Sequence, residues 1–123
     1  MSRVTISVVA FTALIFSASQ ALAGQCGYEE CWGAIGFDDA GNIGVSYSQW
    51  SEERAYELAQ EQCAWNCAEM RTFKNTCAAI AQGENGGWTW AKGKSRSSAE
   101  QTAHRLCDNR TYNCKTVVWA CSN

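Results

Sequence analysis

The chain reads EERAYELAQEQC from Glu52 to Cys63 and RSSAEQTAHRLC from Arg96 to Cys107. Laid over each other at an offset of 44, the two stretches put Ala55 on Ala99, Ala59 on Ala103 and Cys63 on Cys107. Apolar residues at i, i+4 and i+8 follow the helical period, so both read as amphipathic helices with a narrow buried stripe of small side chains. The same offset carries Arg71-Thr72-Phe73 onto Lys115-Thr116-Val117 and Cys77 onto Cys121. Upstream, an offset of 45 carries Ala34-Ile35 onto Ala79-Ile80 and Gly41 onto Gly86, one residue of loop having changed. Two copies of ~45 residues are too few for a solenoid. The pattern predicts one domain built from two internal repeats, about 31–76 and 77–121.

Each copy has the same local grammar. A short strand (Trp32 to Phe37; Ala78 to Gln82) leads into a turn rich in Gly, Asn and Asp. The turns are Asp38-Asp39-Ala40-Gly41-Asn42 and Gly83-Glu84-Asn85-Gly86-Gly87, whose residues supply the positive φ of tight hairpins. A second strand follows (Ile43 to Tyr47; Trp88 to Lys92), β-branched and aromatic in character. Ser51 then reads as the N-cap of the first helix, with Glu52 and Glu53 in the dipole-favoured first turn. Ser97-Ser98-Ala99-Glu100 reads as a capping box for the second. The expected buried faces are Ala55, Leu58, Ala59 and Cys63, and Ala99, Ala103, Leu106 and Cys107. A last strand closes each copy, near Met70 to Asn75 and Lys115 to Trp119. The expected architecture is α+β: duplicated ββαβ units forming a mostly antiparallel sheet with two helices, stabilised by disulfides.

The 123 residues begin with a short basic start, an apolar run from Val4 to Phe16, and Ala21-Leu22-Ala23, the small-x-small pattern of a signal-peptidase site. That run is shorter than the ~20 residues that span a bilayer. Residues 1–23 are thus expected to be a cleaved secretory signal, leaving 24–123 as a single disulfide-rich domain with no membrane span, periplasmic or extracellular. A lipoprotein would need its cysteine directly after Leu22-Ala23-Gly24, where Gln25 stands. All eight cysteines (26, 31, 63, 67, 77, 107, 114, 121) fall in the mature part. An even count at that density reads as a disulfide framework. Zinc on Cys63, Cys67, Cys107 and Cys114 is disfavoured by irregular gaps and by thiol oxidation after export. Clamps at the helix ends, Cys63–Cys67 and Cys107–Cys114, are expected. Cys26, Cys31, Cys77 and Cys121 pair either as 26–31 with 77–121 or crosswise.

Trp32-Gly33-Ala34-Ile35-Gly36, the helix ending at Cys63, the run from Asn75 to Ala81, Gly86-Gly87-Trp88 and the run from Cys114 to Cys121 together resemble domain-of-unknown-function family 4189. The resemblance spans nearly all of the mature chain. It implies a small exported bacterial disulfide-containing domain and carries over no catalytic residue. Cys26 and Cys31 are additions to its usual pattern.

A catalytic constellation is not evident. His104 is the only imidazole, with Glu100 one turn before it, an ordinary pairing on a helix surface. Glu29-Glu30, Asp38-Asp39 and Glu52-Glu53 lie in a tail, a turn and a helix start, where neither member is desolvated. Asp38 and Asn42 offer oxygen ligands but lack the calcium-hand pattern. Gly83 to Gly87 lacks the Gly-Lys-Ser/Thr ending of a phosphate loop. No cofactor is expected. Net charge of −2 argues against nucleic acid, yet residues 24–76 carry −6 and residues 77–123 carry +3. Lys92, Lys94 and Arg96 form a basic cluster. Of Trp32, Trp50, Trp65, Trp88, Trp90 and Trp119, most are expected in the core or over disulfides. Trp88 and Trp90 share one strand face and would make a binding platform if it is open. The expected function is an exported interaction module without catalysis, in an inhibitor, immunity or host-directed role with another protein as partner. The alternative is a carbohydrate or cell-wall binding module using Trp88 and Trp90, and the least favoured is a hydrolase using His104.

Overall fold

A computed structural model describes residues 26–123. The expected signal segment and cleavage point lie outside these residues. The elements run β1 (Trp32–Phe37), β2 (Ile43–Gln49), α1 (Glu52–Gln62), β3 (Glu69–Lys74), β4 (Thr76–Gln82), β5 (Trp88–Gly93), α2 (Arg96–Asp108) and β6 (Lys115–Ser122). The order ββαβ thus occurs twice, and each half builds its own three-stranded antiparallel sheet, β2-β1-β3 and β5-β4-β6.

In both sheets the first strand of the half is central, and it is buried on both faces. Alternate residues of β1 and β4 point opposite ways. Ile35 and Phe37 join Phe73, Ala78, Ile80, Val118 and Ala120 in a core between the two sheets. Ala34 faces Ala55 and Ala59 of α1. Cys77, Ala79 and Ala81 face Ala99, Ala103 and Cys107 of α2. The layers therefore run helix, sheet, sheet, helix, with β6 against β1 and β2.

Both hairpins are closed by matching bonds, Asp38 N to Asn42 O and Gly83 N to Gly87 O, with Gly41 at φ +84° and Gly86 at +83°. Asp38 also accepts from the Asn42 side chain (2.9 Å) and backbone N–H (2.8 Å). Ser51 Oγ caps α1 by accepting from Arg54 N at 3.1 Å. In α2 the cap is Ser95, whose Oγ accepts from Ser98 N at 3.1 Å, rather than the expected box from Ser97 to Glu100. Arg96 draws the Glu100 carboxylate to itself at 2.6 Å, so that side chain is not turned back on the N-terminus.

The alanine stripe sets a short distance between helix and sheet. A Cβ at Gly44 would fall 2.4 Å from the Ala59 carbonyl oxygen, so only glycine fits beneath α1 there. The flanks of this stripe differ from the periodic expectation. Leu106, expected on the buried face, is 41% exposed. Leu58 is only half-buried, while Gln60 takes the buried place. The tryptophans are displaced likewise: Trp32, Trp88 and Trp90 are half-buried, and Trp50, Trp65 and Trp119 are exposed. Most were expected in the core or over disulfides; none of the six is fully buried, and Trp32, Trp88 and Trp90 pack against the core from its rim.

The disulfides are Cys26–Cys31, Cys63–Cys67, Cys77–Cys121 and Cys107–Cys114. No cysteine among the described residues is left for a metal. Cys77 and Cys121 are register partners on β4 and β6. Their bridge closes 44 residues, whereas Cys26–Cys31 closes 5. On the chain-entropy argument the former stabilises by about 4 kcal/mol and the latter by about 2. Replacing Cys77 and Cys121 together with alanine should lower the urea midpoint clearly more than replacing Cys26 and Cys31, and equal shifts would contradict this ranking.

The hydrogen bond from the Asn42 side chain, aided by backbone N–H groups of the turn, holds the Asp38 carboxyl below its usual range against desolvation. A lowered folded-state value means a contribution present above the unfolded carboxyl pKa and lost as pH falls through the folded one. Acid titration followed by amide exchange should open the β1–β2 turn before the β4–β5 turn, and Asp38→Asn should remove the difference.

Candidate functional site

The flank where β3 approaches β5 holds the residues singled out by sequence. Trp88 and Trp90 share a face of β5, and that face is turned toward the other sheet. Trp88 meets Phe37 edge-on, with ring centroids 5.5 Å apart. From β3, Arg71 lays its guanidinium 5.0 Å from the Trp88 centroid and 5.9 Å from that of Trp90. The two indoles are thus a partly covered wall rather than a flat open platform. With Leu106 from the C-terminal end of α2 and Arg110 from the turn after it, they line a cleft of about 450 Å³.

The cleft is electropositive. Arg71 donates to the Met70 carbonyl at 2.9 Å and has only a distant carboxylate neighbour, Glu69 at 4.0 Å. Arg110 is exposed and has no ion pair among the described residues. Two guanidiniums beside two indoles and a leucine suit a ligand that is apolar along its body and carries a carboxylate.

The expected basic cluster does not converge. Lys92 Nζ lies 6.0 Å from the Trp90 centroid, at the β5 edge. Arg96 instead stacks 4.0 Å over Trp119 on β6, the opposite edge of the same sheet. Lys94 is exposed between them in sequence, and no partner for it is found among the described residues. His104 is half-buried, with Nε2 2.9 Å from Thr116 Oγ1. No hydrogen bond joins it to Glu100 among the described residues. Glu30 is tied to Lys74 and the Trp32 indole, which lower its pKa in that order, and Asp38 caps its turn.

Arg71, Leu106 and Arg110 were not singled out as site residues by sequence. The strand alternation of Arg71 and Phe73 was a usable signal for the first, since Phe73 is core. The other two lie at and just past the end of α2, where nothing local predicts a cleft.

The architecture defines a small α+β module stapled by four disulfides, with a partly covered aromatic cleft on one flank. The family model described as Domain of unknown function (DUF4189) matches residues 32–121, and the chain belongs to that family. No curated protein matches it. Among solved structures, the NMR structure of Rv1813c from Mycobacterium tuberculosis is similar at a TM-score of 0.59. The identity is 21% over 98% of this chain and 97% of that one, a likeness of fold. The disulfides fit an oxidising compartment, and no helix among the described residues is long and apolar enough to cross a membrane.

Arg71→Met removes the cation while keeping most of the apolar cover. The indole N–H resonances of Trp88 and Trp90 should move and those of Trp50 and Trp65 stay, with a stability loss of about 1 kcal/mol. Unmoved Trp88 and Trp90 signals would show that Arg71 does not lie over them in solution.

Proposed function

We propose that this protein is an exported, non-catalytic interaction module that holds an acidic segment of another protein in the Arg71–Trp88–Trp90–Arg110 cleft. The observation that carries the reading is the pair of guanidiniums set beside two half-buried indoles, with Arg110 free of any ion pair among the described residues. Aromatic and arginine side chains are the groups that concentrate binding energy at protein interfaces. Desolvation within a cleft strengthens their attraction for a carboxylate. Export is supported by the disulfide framework and by the basic, apolar and small-residue order of residues 1–23.

A cell-wall glycan is the second reading, favoured by the two neighbouring indoles. Sugar stacking needs an uncovered ring face, however, and Arg71 lies over both rings. Titration with a short peptide containing Asp, Glu and Phe, and in parallel with neutral N-acetylglucosamine oligomers, separates the two. The peptide should shift the Trp88 and Trp90 indole signals, weaken with added salt, and lose about tenfold in affinity with Arg110→Glu. A response to neutral sugar alone, insensitive to salt and to Arg110→Glu, would replace this reading with the glycan one.

A further inference from the structure

A second groove lies on the outer side of the other half, where the N-terminal turns of α1 meet the Cys63–Cys67 loop. Tyr56 and Trp65 stand there with ring centroids 6.4 Å apart and planes at 62°. They are 39% and 57% exposed, and Ser51, Glu52, Glu53, Glu57 and Thr72 complete the walls. Tyr56 is held in place: its hydroxyl accepts from Gln60 Nε2 at 3.0 Å, and the same amide donates to the Cys67 carbonyl at 2.7 Å.

The second half of the chain serves as an internal control. At the offset of 44, Tyr56 corresponds to Glu100, Trp65 to Asn109, Glu52 to Arg96, and Glu53 to Ser97. Those four residues line a depression at the matching place on α2. The helix and its N-cap form there without either ring or either acid, so the fold does not require this aromatic pair. Two large apolar rings kept in water beside three carboxylates call for a ligand.

We infer that this groove seats an arginine side chain from an extended segment of a partner protein. The Tyr56 and Trp65 rings offer π faces to the guanidinium, and the carboxylates accept its N–H groups. Glu53 has no partner among the described residues. Glu52 accepts from Thr72 at 2.9 Å and keeps a second oxygen. Glu57 has Arg54 3.7 Å away, an exposed pairing of small worth that a better placed guanidinium displaces. The positive end of the helix dipole opposes a cation here by about half a charge, which three carboxylates exceed. Arginine fits better than a quaternary ammonium because the latter has no N–H to give to the acids. The groove is separate from the Arg71 cleft, and its assignment does not rest on that one.

The test uses the oxidised protein and a seven-residue glycine-serine peptide carrying one arginine, with its citrulline counterpart and choline as controls. The arginine peptide should shift the Trp65 indole signal in a salt-sensitive way, and citrulline, equal in shape but uncharged, should not. Glu53→Gln should weaken binding about fivefold. The double variant Tyr56→Glu with Trp65→Asn, which installs the residues of the second half, should keep the backbone amide spectrum and lose the shifts that the arginine peptide causes in the Glu53 and Glu57 amides of the unmodified protein. The inference is overturned if arginine leaves Trp65 unmoved, if citrulline or choline shifts it as strongly, or if Glu53→Gln binds unchanged.

Discussion

The close approach of two alanine-faced helices to the central strands is the constraint on which the rest of this structure depends. Ala55 and Ala59 lie on β1 and its neighbour Gly44, and Ala99 and Ala103 lie on β4. Small side chains on both partners bring backbone near backbone, so the layers between helix and sheet are thin. Thin layers hold no indole. The space available for larger groups lies between the sheets, where Ile35, Phe37, Phe73 and Ile80 fill it. The six tryptophans are left to the rims.

That displacement gives the surface its chemistry. A rim tryptophan has one face on protein and one toward water, and cations settle on the wet face. Arg71 covers Trp88 and Trp90, Lys74 approaches Trp32, and Arg96 covers Trp119. Trp65 differs, since its neighbours are a tyrosine and glutamates. The uneven charge of the two halves thus becomes local: a cleft lined by arginines on one flank, and an acid-rimmed aromatic groove on α1. A short chain with a thin core also depends on its cross-links, and Cys77–Cys121 ties the first and last strands of the second half at a register pair.

Much of the fold was legible because its signals are local. The period of alanines marked both helices, and the glycine, asparagine and aspartate runs marked both hairpins and the strands that flank them. The errors came where a neighbour decided. Leu106 follows the helical period yet is exposed, because it lines the cleft beside Trp88 and Trp90 rather than the core. Ser95 rather than Ser97 caps α2, since β5 ends at Gly93 and turns the chain sooner. At the candidate site, the shared face of Trp88 and Trp90 was legible and its cover was not. Arg71 lies 17 residues before Trp88, on another sheet.

By itself the sequence determined the element order ββαβ twice over, the small faces of the helices, and an even set of cysteines suited to disulfides. These follow from spacing along one chain segment, where backbone geometry translates directly into facing. Tertiary structure alone decided that the strands divide into two packed sheets, that β3 comes to β5, and that Tyr56 meets Trp65. Each of those depends on how two surfaces fit across a gap. The fit is set by the summed volumes of side chains distant in sequence, which no local pattern records.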